Sequence, residues 1–86
     1  MNLMQLRVVR EVVRQDFKLT DAAQVLHSSQ SALSKQIRDL EIELGLGIFV
    51  RKGKRFTGLT EAGEQVLPML DRLLLEASQR LIVERT

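Results

Sequence analysis

The sequence predicts a mainly helical domain: three helices sharing one core, a short β-hairpin after them, and a long fourth helix. Three observations carry this. Apolar residues recur at helical spacing in four stretches separated by polar turns. Between the third and fourth stretches, Gly47 to Leu59 alternates around a glycine in the manner of a hairpin. A chain of 86 residues also makes one small core, too little to divide between two domains.

The first helix is expected from Asn2 to Gln15. Leu3, Leu6, Val9, Val12 and Val13 fall on one stripe, with Arg7, Arg10, Glu11 and Arg14 largely off it. Asn2 suits an N-cap, and the helix should stop near Asp16. Phe17 and Leu19 are expected to plug into the core from a connector. Thr20 is the predicted N-cap of a second, short helix, with Asp21 near its positive dipole end. The small pair Ala22-Ala23 suits a close helix crossing. His27-Ser28-Ser29 forms the turn, and Ser28 or Ser29 caps the third helix, Gln30 to Leu44. On that helix Leu33, Ile37, Leu40 and Leu44 lie within an arc of about 60°. Ser31, Lys35 and Arg38 point the other way, with Gln30 and Ser34 on one flank. Ile42 also points outward, which a simple amphipathic pattern does not predict. Gly45 is the expected left-handed C-cap residue.

In the hairpin, Ile48-Phe49-Val50 forms one arm, Phe56-Thr57 the other, and Lys52-Gly53-Lys54 the bend. Thr60 caps the last helix, with Glu61 and Glu64 near its positive end. Leu67, Leu70, Leu74, Ala77 and Leu81 recur at spacings of three and four, a coiled-coil-type seam. Val66, Met69, Leu73, Ile82 and Val83 add apolar surface beside it. A domain this small cannot cover so much, so the seam is predicted to join two copies in a two-fold dimer, the alternative being a packing site for a downstream domain. Pro68 removes one backbone bond inside this helix, which leaves both a straight and a kinked helix open. The chain thus divides into residues 1–59 and a linker or dimerisation helix, 60–86.

The net charge of +2 says little about partners, but its distribution says more. Between Arg51 and Gly58 stand four cations and no acid, whereas Asp39, Glu41 and Glu43 gather late in the third helix. A helix–turn–helix places its second helix in the major groove, where base edges offer a distinguishable donor and acceptor pattern. Gln30, Ser31 and Ser34 are short or planar hydrogen-bonding groups at the part of the helix that reaches bases. Lys35 and Arg38 reach a guanine edge or a phosphate, and Thr20, Ser28 and Ser29 complete the candidate surface. Arg51, Lys52, Lys54 and Arg55 form a wing able to follow the phosphates or enter the minor groove, and Gly53 permits its tight bend. The plainer alternatives are a solvated helix face and a solubilising hairpin. In that case the chain is a helical interaction module without specific DNA binding.

Other classes are disfavoured. With no cysteine there is no disulfide or thiolate metal site, and the one histidine, His27, reads as a surface turn residue. No nucleophile has a plausible partner and no glycine run forms a phosphate cradle, so neither catalysis, cofactor nor metal is expected. Three phenylalanines without tyrosine or tryptophan are a poor stacking platform for single-stranded RNA. No apolar run approaches a membrane span and no signal-peptide pattern opens the chain, so a cytoplasmic location is expected.

Several ordered stretches resemble one family: Ala22-Ala23-Gln24-Val25-Leu26-His27, Ser29 to Ile37, Leu40-Glu41, Glu43-Leu44-Gly45, Ile48-Phe49 and Leu59-Thr60-Glu61-Ala62-Gly63. They resemble the N-terminal winged helix–turn–helix of LysR-type transcriptional regulators over essentially the whole chain. Arg51 to Thr60 is similar to the branch that contains the sulfur-assimilation regulator CysB. The resemblance implies binding to double-stranded promoter DNA at an interrupted inverted repeat. It also implies an effector-binding domain beyond this chain, homodimers, and tetramers of the full-length protein. For the CysB-like branch it implies control of sulfur uptake and cysteine synthesis. By position, Gln30, Ser31, Ser34 and Lys35 match the family's recognition contacts, and Arg51 with its neighbours matches the wing. Ser31 stands where many members have proline and Lys35 where arginine is common. Lysine cannot make the planar bidentate contact, which alters the expected base preference.

Overall fold

The computed structural model describes the backbone of residues 1–85 and the side chains of residues 1–80. Its elements run α1 (Leu3–Arg14), α2 (Leu19–Val25), α3 (Gln30–Leu44), β1 (Phe49–Lys52), β2 (Arg55–Leu59) and α4 (Glu61–Arg85). This is the predicted mainly helical winged helix–turn–helix.

A reciprocal capping box starts α1: the Asn2 side chain accepts the Gln5 N–H at 2.8 Å, and the Gln5 side chain accepts the Asn2 N–H at 3.0 Å. The helix packs against α2, α3 and α4. Covered on several sides, it buries a wider arc than one stripe: Val8 is as fully enclosed as Val9 and Val12, and Gln5 and Glu11 are buried too. Asp16 and Phe17 then take left-handed backbone angles, φ 57° and 66°. The turn is held by the Phe17 N–H donating to Val12 O at 2.8 Å and by the Phe17 ring packed on the core.

Thr20 does not cap α2. Lys18 is the N-cap, without a side-chain bond, because its carbonyl already accepts the first helical N–H, from Ala22 at 3.1 Å. Half-buried Leu19 packs against the core, and Thr20 falls in the first turn. The start and end of α3 agree with expectation. Ser29 Oγ accepts the Ala32 N–H at 3.1 Å, and Gly45 closes the helix at φ 71°.

The two strands pair antiparallel and extend further into the cations than the expected arms. Phe49 faces Leu59, Val50 faces Gly58, Arg51 faces Phe56 and Lys52 faces Arg55. The register slips by one between Val50 and Arg51, leaving Thr57 as an extra residue in β2. Gly53, at φ 65°, and Lys54 make the bend.

As predicted, Thr60 caps α4: its hydroxyl oxygen accepts the Gly63 N–H at 2.8 Å. The predicted seam needs correcting. Leu70 and Leu74 are 3% and 2% exposed, buried in the core of their own chain, with Leu67 half-buried against it. The reason is that α4 lies across α1 and β2, so Leu70 and Leu74 are taken up within the fold. Ala77 is half-buried, and the side chain of Leu81 lies outside the described residues. Among the described residues an apolar row of α4 is left uncovered one flank round, at half-buried Val66 and exposed Met69 and Leu73, with exposed Leu75 on the other flank.

Candidate nucleic-acid interface

The outer row of α3 is set by its inner one. Leu33, Ile37 and Leu40 are at most 1% exposed, and they fix the helix so that Ser31, Lys35 and Arg38 face outward and are exposed. An α-helix with its side chains is about 10–12 Å across, the width of the B-DNA major groove at about 12 Å. On the flank, Gln30 is exposed and Ser34 half-buried. The row continues into Ile42, which is 71% exposed.

Between this face and the wing runs an open groove of about 580 Å³. Gln30, Ser31, Ser34, Lys35 and Arg38 line it from α3, and Arg51 and Lys54 from the wing. A second recess, of about 390 Å³, adjoins it, lined by Thr20, Gln30, Lys54 and Arg55 together with Lys18 and Asp16. Gln30 and Lys54 border both. The fold therefore brings nine of the twelve predicted contact residues to one concave surface. Ser28, Ser29 and Lys52 are exposed but line neither hollow. The Ser29 hydroxyl oxygen accepts the cap bond of α3.

Two of the cations have partners. Lys35 Nζ lies 2.9 Å from Asp39 Oδ2, one turn along α3, in an exposed pair of the kind that contributes about 0–1 kcal/mol and opens readily. Arg51 pairs with Glu41 at 2.9 Å and lies over the Phe56 ring. Among the described residues no ion pair holds Arg38, Lys52, Lys54 or Arg55. Nor is there any group of acids and histidines that could bind a metal, or any helix long and apolar enough to cross a membrane.

Residues 3–64 match the sequence profile of the bacterial regulatory helix-turn-helix protein, lysR family. The chain belongs to that family. Among its LysR-family relatives, the transcriptional regulator SsuR of Burkholderia cenocepacia is 56% identical over 85 residues, covering 99% of this chain and 28% of that protein. CysB of the same organism is 54% identical over 76 residues, 88% of this chain and 24% of the relative. The chain thus spans about a quarter of the length of these two regulators. Among solved structures, the CbnR_DBD–DNA complex superposes with a TM-score of 0.87 at 29% identity, covering 99% of this chain and 95% of that one.

Two contributors to this LysR-family surface escaped the sequence reading. Lys18 lines the smaller recess, but it stands in a connector where no periodicity marks a direction. Glu41 looked like one acid in a cluster of three; its role depends on residues seven to ten positions further along the chain.

Proposed function

We propose that this LysR-family chain binds double-stranded DNA sequence-specifically as the DNA-binding part of a transcriptional regulator. In this reading α3 lies in the major groove and the wing follows the adjacent phosphates. The observation that carries it is the exposed Ser31/Lys35/Arg38 row, anchored from behind by buried leucines and facing Lys54 across a groove. The likeness to a domain solved in complex with DNA supports DNA as the partner. Two copies joined through the free apolar row of α4 would present two recognition helices to one duplex, which suits an interrupted inverted repeat. The resemblance of Arg51 to Thr60 to the CysB-like branch, beside 54% identity to a CysB regulator, is the ground for reading it as a cytoplasmic regulator of sulfur-assimilation and cysteine-biosynthesis genes, tetrameric at full length.

Selection of bound sites from random duplexes, followed by titration of cognate and scrambled DNA, tests the reading. Gln30→Ala is expected to cost about 1–3 kcal/mol on the cognate site and little on scrambled DNA, the signature of a lost bidentate base contact. Equal losses on both duplexes would reject a reading role for Gln30. Failure to bind any duplex at low salt, alongside tight association with another protein, would favour the interaction-module alternative.

A further inference from the structure

The wing is fastened to α3 through one carboxylate. Glu41 lies about three turns beyond Gln30 on the same flank of α3, and its side chain is only 13% exposed. Its Oε2 accepts the backbone N–H of Ile48 at 2.7 Å and of Phe49 at 3.3 Å, both at the entrance to β1. Its Oε1 accepts a hydrogen bond from Arg51 Nη2 at 2.9 Å. The guanidinium carbon of Arg51 lies 4.8 Å from the centroid of the Phe56 ring, which in turn stacks on Phe49 at 4.9 Å.

The extra residue in β2 produces this arrangement. With Thr57 inserted, Phe56 and Leu59 both turn toward the core, and Arg51, paired with Phe56, turns the same way as Phe49. Arg51 is therefore the wing cation held against the body of the protein. Its charge is met by Glu41, and its guanidinium carbon lies over a ring, a contact made more often by arginine than by lysine. Among the described residues Lys52, Lys54 and Arg55 have no such partner.

We propose that Glu41 and Arg51 are a positioning pair that sets the spacing and angle between wing and recognition helix, with Arg51 serving as a strut and not as a phosphate contact. This rests on the DNA-binding reading above. A cation already neutralised by its own protein displaces no counterion from DNA, so its loss leaves the salt dependence of binding unchanged. A loosened wing harms the complex that needs helix and wing in register at once. The cognate complex should therefore suffer more than the non-specific one.

The test is a salt series with the 86-residue chain on a selected cognate duplex and a scrambled one, with thermal melts as the folding control. Lys54→Gln is expected to flatten the log–log salt slope by about 0.9 on both duplexes. Arg51→Gln is expected to leave the slope unaltered and to weaken cognate binding about tenfold, within the range of coupling between contacting residues. Scrambled binding should change much less. Because Glu41→Gln keeps an oxygen for the two N–H groups, the double variant Glu41→Gln/Arg51→Gln should lose no more cognate affinity than Arg51→Gln alone. If Arg51→Gln does not fold, Arg51→Lys decides: a strut predicts that cognate binding weakens while scrambled binding changes little, whereas a phosphate contact predicts equal changes on both duplexes. A slope loss of about 0.9 for Arg51→Gln on both duplexes overturns the strut alone. Absence of duplex binding by the unaltered chain rejects the DNA reading and the strut with it.

Discussion

Gly63 stands where α4 crosses the entrance to the wing, and a Cβ there would lie 2.2 Å from the carbonyl oxygen of Ile48 and 3.0 Å from its carbon. That carbonyl cannot easily retreat, because it already accepts the Thr60 N–H at 2.9 Å. Gly63→Ala is accordingly expected to destabilise the domain by about 1–3 kcal/mol, the usual cost of overpacking. Thermal melting should show it as a fall of roughly 4–8 °C for each kcal/mol lost. An unchanged midpoint would mean that helix and wing part without cost. The sequence shows a glycine just inside a helix but not the carbonyl it meets, so this constraint was not legible. Glu41 was hidden for the same reason: its three donors come from Ile48, Phe49 and Arg51, none within one helical turn. By contrast Ser31, Lys35 and Arg38 were legible, because a strong leucine stripe on one side of α3 fixes the opposite side by geometry alone.

At the level of elements, α3 was readable to the residue because both its ends carry chemical signals: a serine whose hydroxyl meets the Ala32 N–H, and a glycine that accepts a left-handed angle. The start of α2 was not, since Lys18 caps with its backbone only, and a nearby threonine gave a false lead. The hairpin was visible from its glycine and its alternation. Its slipped register was not, because one inserted residue leaves composition unaltered while reversing which side chains face inward. These caps separate stability from recognition. Ser29→Ala is expected to cost about 1 kcal/mol of stability, the usual value of an N-cap. It should leave the ratio of cognate to scrambled affinity unchanged, since Ser29 lines neither hollow and its hydroxyl oxygen already accepts the Ala32 N–H. Melts and paired titrations of this variant check both halves; a fall in the ratio would make Ser29 a base-reading residue.

For the molecule as a whole, the question is what covers α4. A stripe of leucines records that something apolar must pack there; it does not record whether the neighbour is the same chain or another copy. Here α1 and β2 supply the neighbour for Leu70 and Leu74, and the helix keeps a second apolar row at Val66, Met69 and Leu73. The two rows therefore make opposite predictions. Leu74→Ala removes side-chain volume from a site only 2% exposed and is expected to cost about 2–5 kcal/mol, a large share of the total stability of so small a domain. Leu73→Glu alters a side chain that is 40% exposed and should leave the melting of the isolated fold nearly unchanged. If the free row joins two copies, Leu73→Glu places a desolvated, unpaired carboxylate in that contact. Sedimentation should then shift from dimer to monomer, and affinity for a two-half-site duplex should fall much further than affinity for a single half-site. Unchanged sedimentation of Leu73→Glu would place the subunit contact elsewhere, while a collapse in its melting temperature would mean that Leu73 belongs to the core, as Leu74 does.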